Sequence, residues 1–144
     1  MADDDHRPRV LLSNRQDLPV DEDALADLAG RTLAAEHVGD AELSVSFVTS
    51  AEMAELHERY MDEPGPTDVL SFPQDDETPP GGPRLLGDVV ICPEVAAAQN
   101  PDPAAEQRLL LVHGILHLLG YDHEEDTGRA EMWARQERYS GVRA

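Results

Sequence analysis

Three histidines stand close together at the end of an apolar segment of this chain. Residues 113–123 read His-Gly-Ile-Leu-His-Leu-Leu-Gly-Tyr-Asp-His, and Pro103 is placed to open the long helix that leads into them. Residues four apart share one face of a helix, so His113 and His117 can bind the same metal ion. Gly120 is suited to end the helix and return the chain, which lets His123 supply a third ligand.

The three histidines predict a catalytic rather than a structural metal centre. Three protein ligands leave one coordination position for water, as in catalytic zinc sites. We take a single Zn²⁺ as the default ion, although histidine ligands would also accept nickel, copper or iron. A backbone carbonyl or Asp122 is expected to hold the second nitrogen of a ligating ring.

Metzincin peptidases share this histidine spacing, and in them a glutamate follows the first histidine and acts as general base. That position is Gly114 in this chain. Without a carboxylate there, the group that activates water and protonates the leaving amine is missing. A zinc peptidase is therefore the less favoured alternative.

The charge of the chain limits its partners. Acidic residues number 30 against 11 basic ones, all of them arginine, and the net charge is −19. Such a charge repels polyanions at long range and disfavours nonspecific nucleic-acid binding. The acids are clustered, however, so a few arginines can still line a local basic groove.

Length and composition predict a single domain over residues 1–144. No apolar run reaches the roughly 18 residues of a membrane span, and the acidic start does not resemble a secretory signal. We therefore expect a cytoplasmic protein with no membrane association. The only cysteine, Cys92, is expected to be a buried and unreactive thiol.

The pattern of apolar residues predicts an alternation of strands and helices. Strands are expected at Val10–Leu12, Leu43–Phe47, Val69–Phe72 and Leu86–Cys92, and helices at 21–37, 50–60, 103–119 and 127–139, with Ser50 as an N-cap. These elements favour one mixed sheet of about four strands covered by four or more helices, in an α/β or α+β arrangement. The metal centre would lie at the end of the long helix.

In three places the chain resembles the YbeY family of bacterial endoribonucleases. The places are the histidine segment at 113–123, Thr67-Asp68-Val69-Leu70-Ser71-Phe72-Pro73, and Leu86-Gly87-Asp88-Val89. The resemblance implies a metal-dependent, single-strand-specific endoribonuclease that matures ribosomal RNA, especially the 3′ end of the small-subunit RNA, and takes part in ribosome quality control.

The resemblance also implies the roles of individual residues. The metal ligands would be His113, His117 and His123, with His113 taking part in catalysis. Thr67, Asp68 and Ser71 would line the adjoining cleft.

One position departs from the family's pattern. The family commonly has an arginine directly after the tyrosine that is Tyr60 here, where this chain has Met61. Arg59 is the candidate replacement and could contact phosphate, but a helix points it about 200° away from position 61. A solvated helix arginine explains Arg59 equally well.

Two questions stay open from the sequence. Cleavage can proceed by direct hydrolysis or by attack of the RNA 2′-hydroxyl, and Asp68, Asp88 and Asp122 are only candidates for the general base. A second hypothesis is a ribosome-associated assembly factor that docks to ribosomal proteins or an assembly GTPase with little cleavage, because the negative charge favours basic partners.

Overall fold

The computed structural model describes residues 8–74, 84–121 and 126–142. Within these residues there are four strands and five helices. In chain order they are β1 (Arg9–Asn14), α1 (Glu22–Ala35), β2 (Ala41–Phe47), α2 (Ser50–Met61), β3 (Val69–Pro73), β4 (Arg84–Ile91), α3 (Pro93–Gln99), α4 (Pro103–Leu118) and α5 (Asp126–Ser140). All the predicted strands and helices are confirmed, and α3 was not predicted.

The strands form one mixed sheet, as expected for an α/β fold. Their order is β1-β2-β4-β3. The first three are mutually parallel, and β3 pairs antiparallel with β4 at the edge. The parallel pairs require helical crossovers, which α1 and the segment containing α2 provide.

Alternation along the strands divides the core between the two faces of the sheet. Val45 and Val89 belong to the larger cluster, which includes residues of α1 and α4. Leu70 and Val90 point to the opposite face, where they pack with Met53 of α2. Helix α4 therefore covers one face of the sheet, and α5 packs against α4.

Local capping explains where the helices begin. The side chains of Asp21, Thr49 and Asp102 accept hydrogen bonds from backbone N–H groups in the first turns of α1, α2 and α4. The expected cap Ser50 was wrong by one residue, because Thr49 has the extended backbone of a cap and Ser50 is already helical. Helix α3 has Pro93 at its first position, a signal that the sequence did offer.

The end of α4 agrees with the sequence. Gly120 follows the helix with a φ of 100°, a left-handed conformation that few other residues adopt.

Cys92 is a fully buried free thiol, as expected, and burial raises its pKa. None of the helices within the described residues is long and apolar enough to cross a membrane.

Candidate metal centre

Helix α4 presents His113 and His117 side by side. Their ring centroids lie 6.1 Å apart, as expected for residues one helical turn apart. His113 is half-buried, whereas His117 is exposed. The two predicted ligands of the helix are therefore brought to one place.

The Nδ1 atom of each ring, the nitrogen nearer the backbone, is held by a hydrogen bond. Nδ1 of His117 donates to the backbone carbonyl of Tyr121 at 3.3 Å, and Nδ1 of His113 donates to Oε1 of Gln136 at 2.8 Å. With Nδ1 protonated, the lone pair that binds a metal lies on Nε2 of each ring. The tautomers and donor types thus fit a divalent ion that accepts imidazole ligands.

The third predicted ligand, His123, lies outside the described residues, as does Asp122. Among residues 8–74, 84–121 and 126–142, no group of three His, Cys, Asp or Glu side chains is arranged to hold a metal ion. The complete three-histidine site therefore stays a prediction.

Strand β3 brings one of the three predicted cleft residues directly to α4. The hydroxyl of Ser71 donates to the carbonyl of Gly114 at 3.2 Å, between the two histidines in the chain. Thr67 and Asp68 directly precede β3, and the carbonyl of Asp68 accepts a hydrogen bond from the backbone of Cys92. Ser71 therefore contacts the histidine helix, and the other two lie in the segment just before the same strand.

Gly114 marks the closest approach of α4 to the sheet. A Cβ atom built there would lie 2.6 Å from Cγ1 of Val89 and 3.2 Å from the hydroxyl of Ser71. The contact with Val89 is shorter than packed side chains tolerate, and the contact with Ser71 is tight. The position at which metzincin peptidases carry their glutamate thus has no room for a side chain, which adds a steric argument against the peptidase alternative.

We expect Gly114→Ala to destabilise the protein although alanine favours a helix. Both methyl groups of Val89 lie within about 3 Å of the new atom, so the β-branched valine or the helix must shift to admit it. Overpacking of this kind costs about 1–3 kcal/mol, against a gain of about 1 kcal/mol in helix propensity. Urea denaturation would measure the net loss.

Gly30→Ala is the matched control. Gly30 lies in α1, and its added Cβ would meet nothing within 4 Å. This substitution should raise the free energy of unfolding by about 0.5–1 kcal/mol. If both variants were stabilised equally, the close contact of α4 with Val89 would be contradicted.

Two of the aspartates considered as general bases, Asp68 and Asp88, lie within the described residues. One carboxylate oxygen of Asp68 accepts from its neighbour's backbone, Val69 N, at 2.8 Å. Asp88 precedes Val89 in β4, and successive side chains of a strand point to opposite faces of the sheet. Asp88 therefore points to the face away from α4, and its partner on the neighbouring strand β2 is Ser44. The structure therefore does not bring Asp88 to the histidines.

Arg59 lies on α2 and forms an exposed ion pair with Glu55, one helical turn away, at 3.1 Å. Helix α2 packs on the face of the sheet opposite α4. These contacts are those of an ordinary solvent-exposed arginine on a helix. A catalytic role for Arg59 stays a prediction.

The buried carboxylate of Glu36 holds Tyr121, the last described residue of the histidine segment. The sequence did not suggest this role for Glu36. Glu36 accepts hydrogen bonds from the hydroxyl of Tyr121 at 2.6 Å, from Arg135 at 2.6 Å and from the hydroxyl of Tyr139. The guanidinium of Arg135 also lies 5.2 Å from the Tyr121 ring centroid. We call these four residues the Glu36 network.

The Glu36 network changes the ionisation of its members. Burial alone would raise the pKa of Glu36, but hydrogen bonds from the two tyrosines and Arg135 outweigh it and lower that pKa. Burial and the bond to Glu36 raise the pKa of Tyr121 to about 12. Glu36 is therefore ionised and Tyr121 neutral at pH 7. Because Tyr121 carries the carbonyl that holds His117, the network positions that ring.

Known proteins match the chain over nearly its whole length. The family model described as Endoribonuclease YbeY matches residues 11–141. An Endoribonuclease YbeY of Beutenbergia cavernae is 52% identical over 135 residues, covering 87% of this chain and 90% of the relative. Another, of Micrococcus luteus, is 51% identical over 139 residues, covering 90% of this chain and 88% of the relative.

A solved structure shows the same fold. The solution structure of TM1509 from Thermotoga maritima matches with a TM-score of 0.58 and 29% sequence identity, covering 91% of this chain and 86% of that one. The fold, the paired histidines and these matches place the chain among the endoribonucleases. It belongs to the YbeY family. The family and the class of activity expected from the sequence are thus confirmed.

Proposed function

We propose that this chain is a metal-dependent endoribonuclease specific for single strands, acting as a single cytoplasmic domain in the maturation of ribosomal RNA. Its substrate would be the 3′ end of the small-subunit RNA, and it would also act in ribosome quality control. The observation that carries the metal dependence is the pairing of His113 and His117, each with Nδ1 hydrogen-bonded. Membership of the YbeY family supports the RNA substrate.

The metal would be a single Zn²⁺ ion held by His113, His117 and His123. When bound, it would supply Lewis-acid stabilisation of charge that develops on a phosphoryl oxygen. The protein's own contribution is to hold two imidazole rings in the correct tautomer, through Gln136 and the Tyr121 carbonyl. A fixed ring loses less conformational freedom when it binds.

The remaining roles concern the substrate. Thr67, Asp68 and Ser71 are proposed to line the cleft along β3, and Arg59 to contact phosphate from α2. Support is strongest for Ser71, whose hydroxyl lies 3.2 Å from the Gly114 carbonyl on the histidine helix. Direct hydrolysis and attack by the RNA 2′-hydroxyl leave different product ends, which decides between the two routes.

We expect the metal-quantified protein to cleave a single-stranded RNA of the small-subunit 3′ end and to leave the same sequence intact within a duplex. Chelation should abolish cleavage because the histidines alone supply no Lewis acid. Adding back Zn²⁺ should restore it, and the same assay with nickel, copper or iron would rank the ions. Equal cleavage before and after complete chelation would contradict the proposal.

A second candidate function has one observation in its favour. The net charge of −19 suits docking to basic ribosomal proteins or to an assembly GTPase. In that case a folded variant without bound metal would still support normal ribosomal RNA processing in the cell. Failure of such a variant to do so would favour the nuclease.

A further inference from the structure

A cavity of about 350 Å³ opens beside His113, between α4 and α5. Among the residues that the structure describes, those that line it are His113, Arg129, Trp133 and Gln136. Gln136 is the residue that holds Nδ1 of His113. The cavity is therefore continuous with the candidate metal centre.

Trp133 lies at this cavity and is not part of the hydrophobic core. Its side chain is 49% exposed, whereas Met132, the preceding residue, is fully buried. Helix α5 thus buries Met132 in the core and leaves a large aromatic surface in water one position later. Exposed aromatic rings in a cleft are the surfaces on which proteins stack the bases of single-stranded nucleic acids.

Helix geometry places a cation next to this ring. Arg129, Trp133 and Gln136 fall within about 60° of one another around the axis of α5, so they share one face. Arg129 is exposed at its place on that face. An indole and a guanidinium therefore lie together beside His113, which matches one base and one phosphate of a nucleotide.

The overall charge makes such a local site necessary. A net charge of −19 opposes the approach of RNA, so binding must come from contacts at the site itself. Stacking joins two uncharged rings, so the net charge does not oppose it, and it accepts any base because every base offers a π-face.

We propose that Trp133 stacks on an unpaired base of the substrate next to the cleaved phosphate, and that Arg129 contacts the phosphate of the same nucleotide. This inference rests on the proposed function, since it takes RNA as the substrate. It adds a binding subsite on α5 and accounts for a preference for single strands, because a base in a duplex cannot leave its stack without a cost.

Tryptophan fluorescence can measure this contact directly, because Trp133 is the only tryptophan of the chain. We expect a 2′-O-methyl single strand, added to metal-quantified protein, to quench the tryptophan fluorescence. An abasic strand of the same length and charge should quench it much less. Equal quenching by the two strands would overturn the stacking contact.

Binding by variants measures the contribution of the ring. Trp133→Ala should weaken binding of the base-containing strand by roughly 5- to 150-fold, the range of base–aromatic stacking, and Trp133→Phe should lose less. Arg129→Gln should lower the salt dependence of binding by about one counterion. Leu11→Ala is the matched control, since Leu11 is 47% exposed on β1 and should change nothing.

Metal content and thermal unfolding of each variant separate the subsite from the fold, and both should equal those of the wild type. If the wild type cleaves RNA but Trp133→Ala binds the strand equally well, this inference fails and the proposed function stands. If the metal-loaded wild type neither binds nor cleaves single-stranded RNA, both fail.

Discussion

Replacing His117 by alanine is expected to remove the bound metal and to reduce RNA cleavage by more than 100-fold. His117 is one of two histidines that α4 holds side by side, with its Nδ1 on the Tyr121 carbonyl. Loss of a ligand's hydrogen-bond partner alone costs about 10- to 100-fold in metal affinity or activity, so loss of the ligand should exceed that. Elemental analysis and cleavage of a single-stranded RNA would measure the two effects.

The control for this variant is His57→Gln, purified identically so that contaminating ribonuclease is equal in both. His57 lies on α2 and contacts the carbonyl of Gly65, and glutamine keeps a hydrogen-bond donor there. This control should retain metal and cleavage. Because His117 is exposed, its truncation should leave the fold intact. Full metal content or full cleavage in His117→Ala would exclude His117 as a ligand.

The second large effect is expected for Glu36→Ala, which should lower the free energy of unfolding by about 3 kcal/mol. The Glu36 side chain is 7% exposed and accepts bonds from Tyr121, Arg135 and Tyr139. Its removal leaves these donors without their common acceptor, and partial exposure of Arg135 limits the loss to the lower end for a broken buried pair.

Urea denaturation with an unchanged slope would measure that loss. Glu55→Ala is the matched control, because Glu55 is 67% exposed in its pair with Arg59 and such pairs contribute about 0–1 kcal/mol. Similar losses in the two variants would show that the Glu36 network contributes no more than a surface ion pair.

The pH dependence of stability tests the same carboxylate. Its pKa in the folded protein is below the usual 4.5, so its contribution is present above pH 4.5 and is lost as the pH falls through the folded value. The stability difference between the wild type and Glu36→Gln should therefore be largest near neutral pH and shrink in acid. A difference that is constant with pH would mean that Glu36 is not ionised in the folded protein.

The sequence predicted the elements of the fold better than their arrangement. Alternating apolar residues in Leu43–Phe47 and helical spacing in 103–119 depend on neighbours in the chain, so they are readable. The parallel pairing of β1 with β2 and the edge position of β3 depend on contacts between distant segments. Helix α3 was missed because seven residues are too few for a helical pattern of apolar residues to repeat.

The candidate site shows the same division. The pairing of His113 with His117 follows from local helix geometry and was predicted. Gln136 was not, because its contact with His113 joins two residues that lie 23 positions apart on different helices. The carboxylate of Glu36 was not predicted either, since nothing near it in the sequence indicates two tyrosines and an arginine as partners.

The separation of these partners has a consequence for the order of folding. The contacts of Glu36 with Arg135 and Tyr139 span 99 and 103 residues. Closure of a loop of that length costs entropy before any contact compensates for it. We therefore expect α5 to dock last during folding and to open first in the native protein, in amide hydrogen exchange. Because α5 also carries Gln136 and Trp133, the site would be completed last, and a bound ion or RNA would slow its opening.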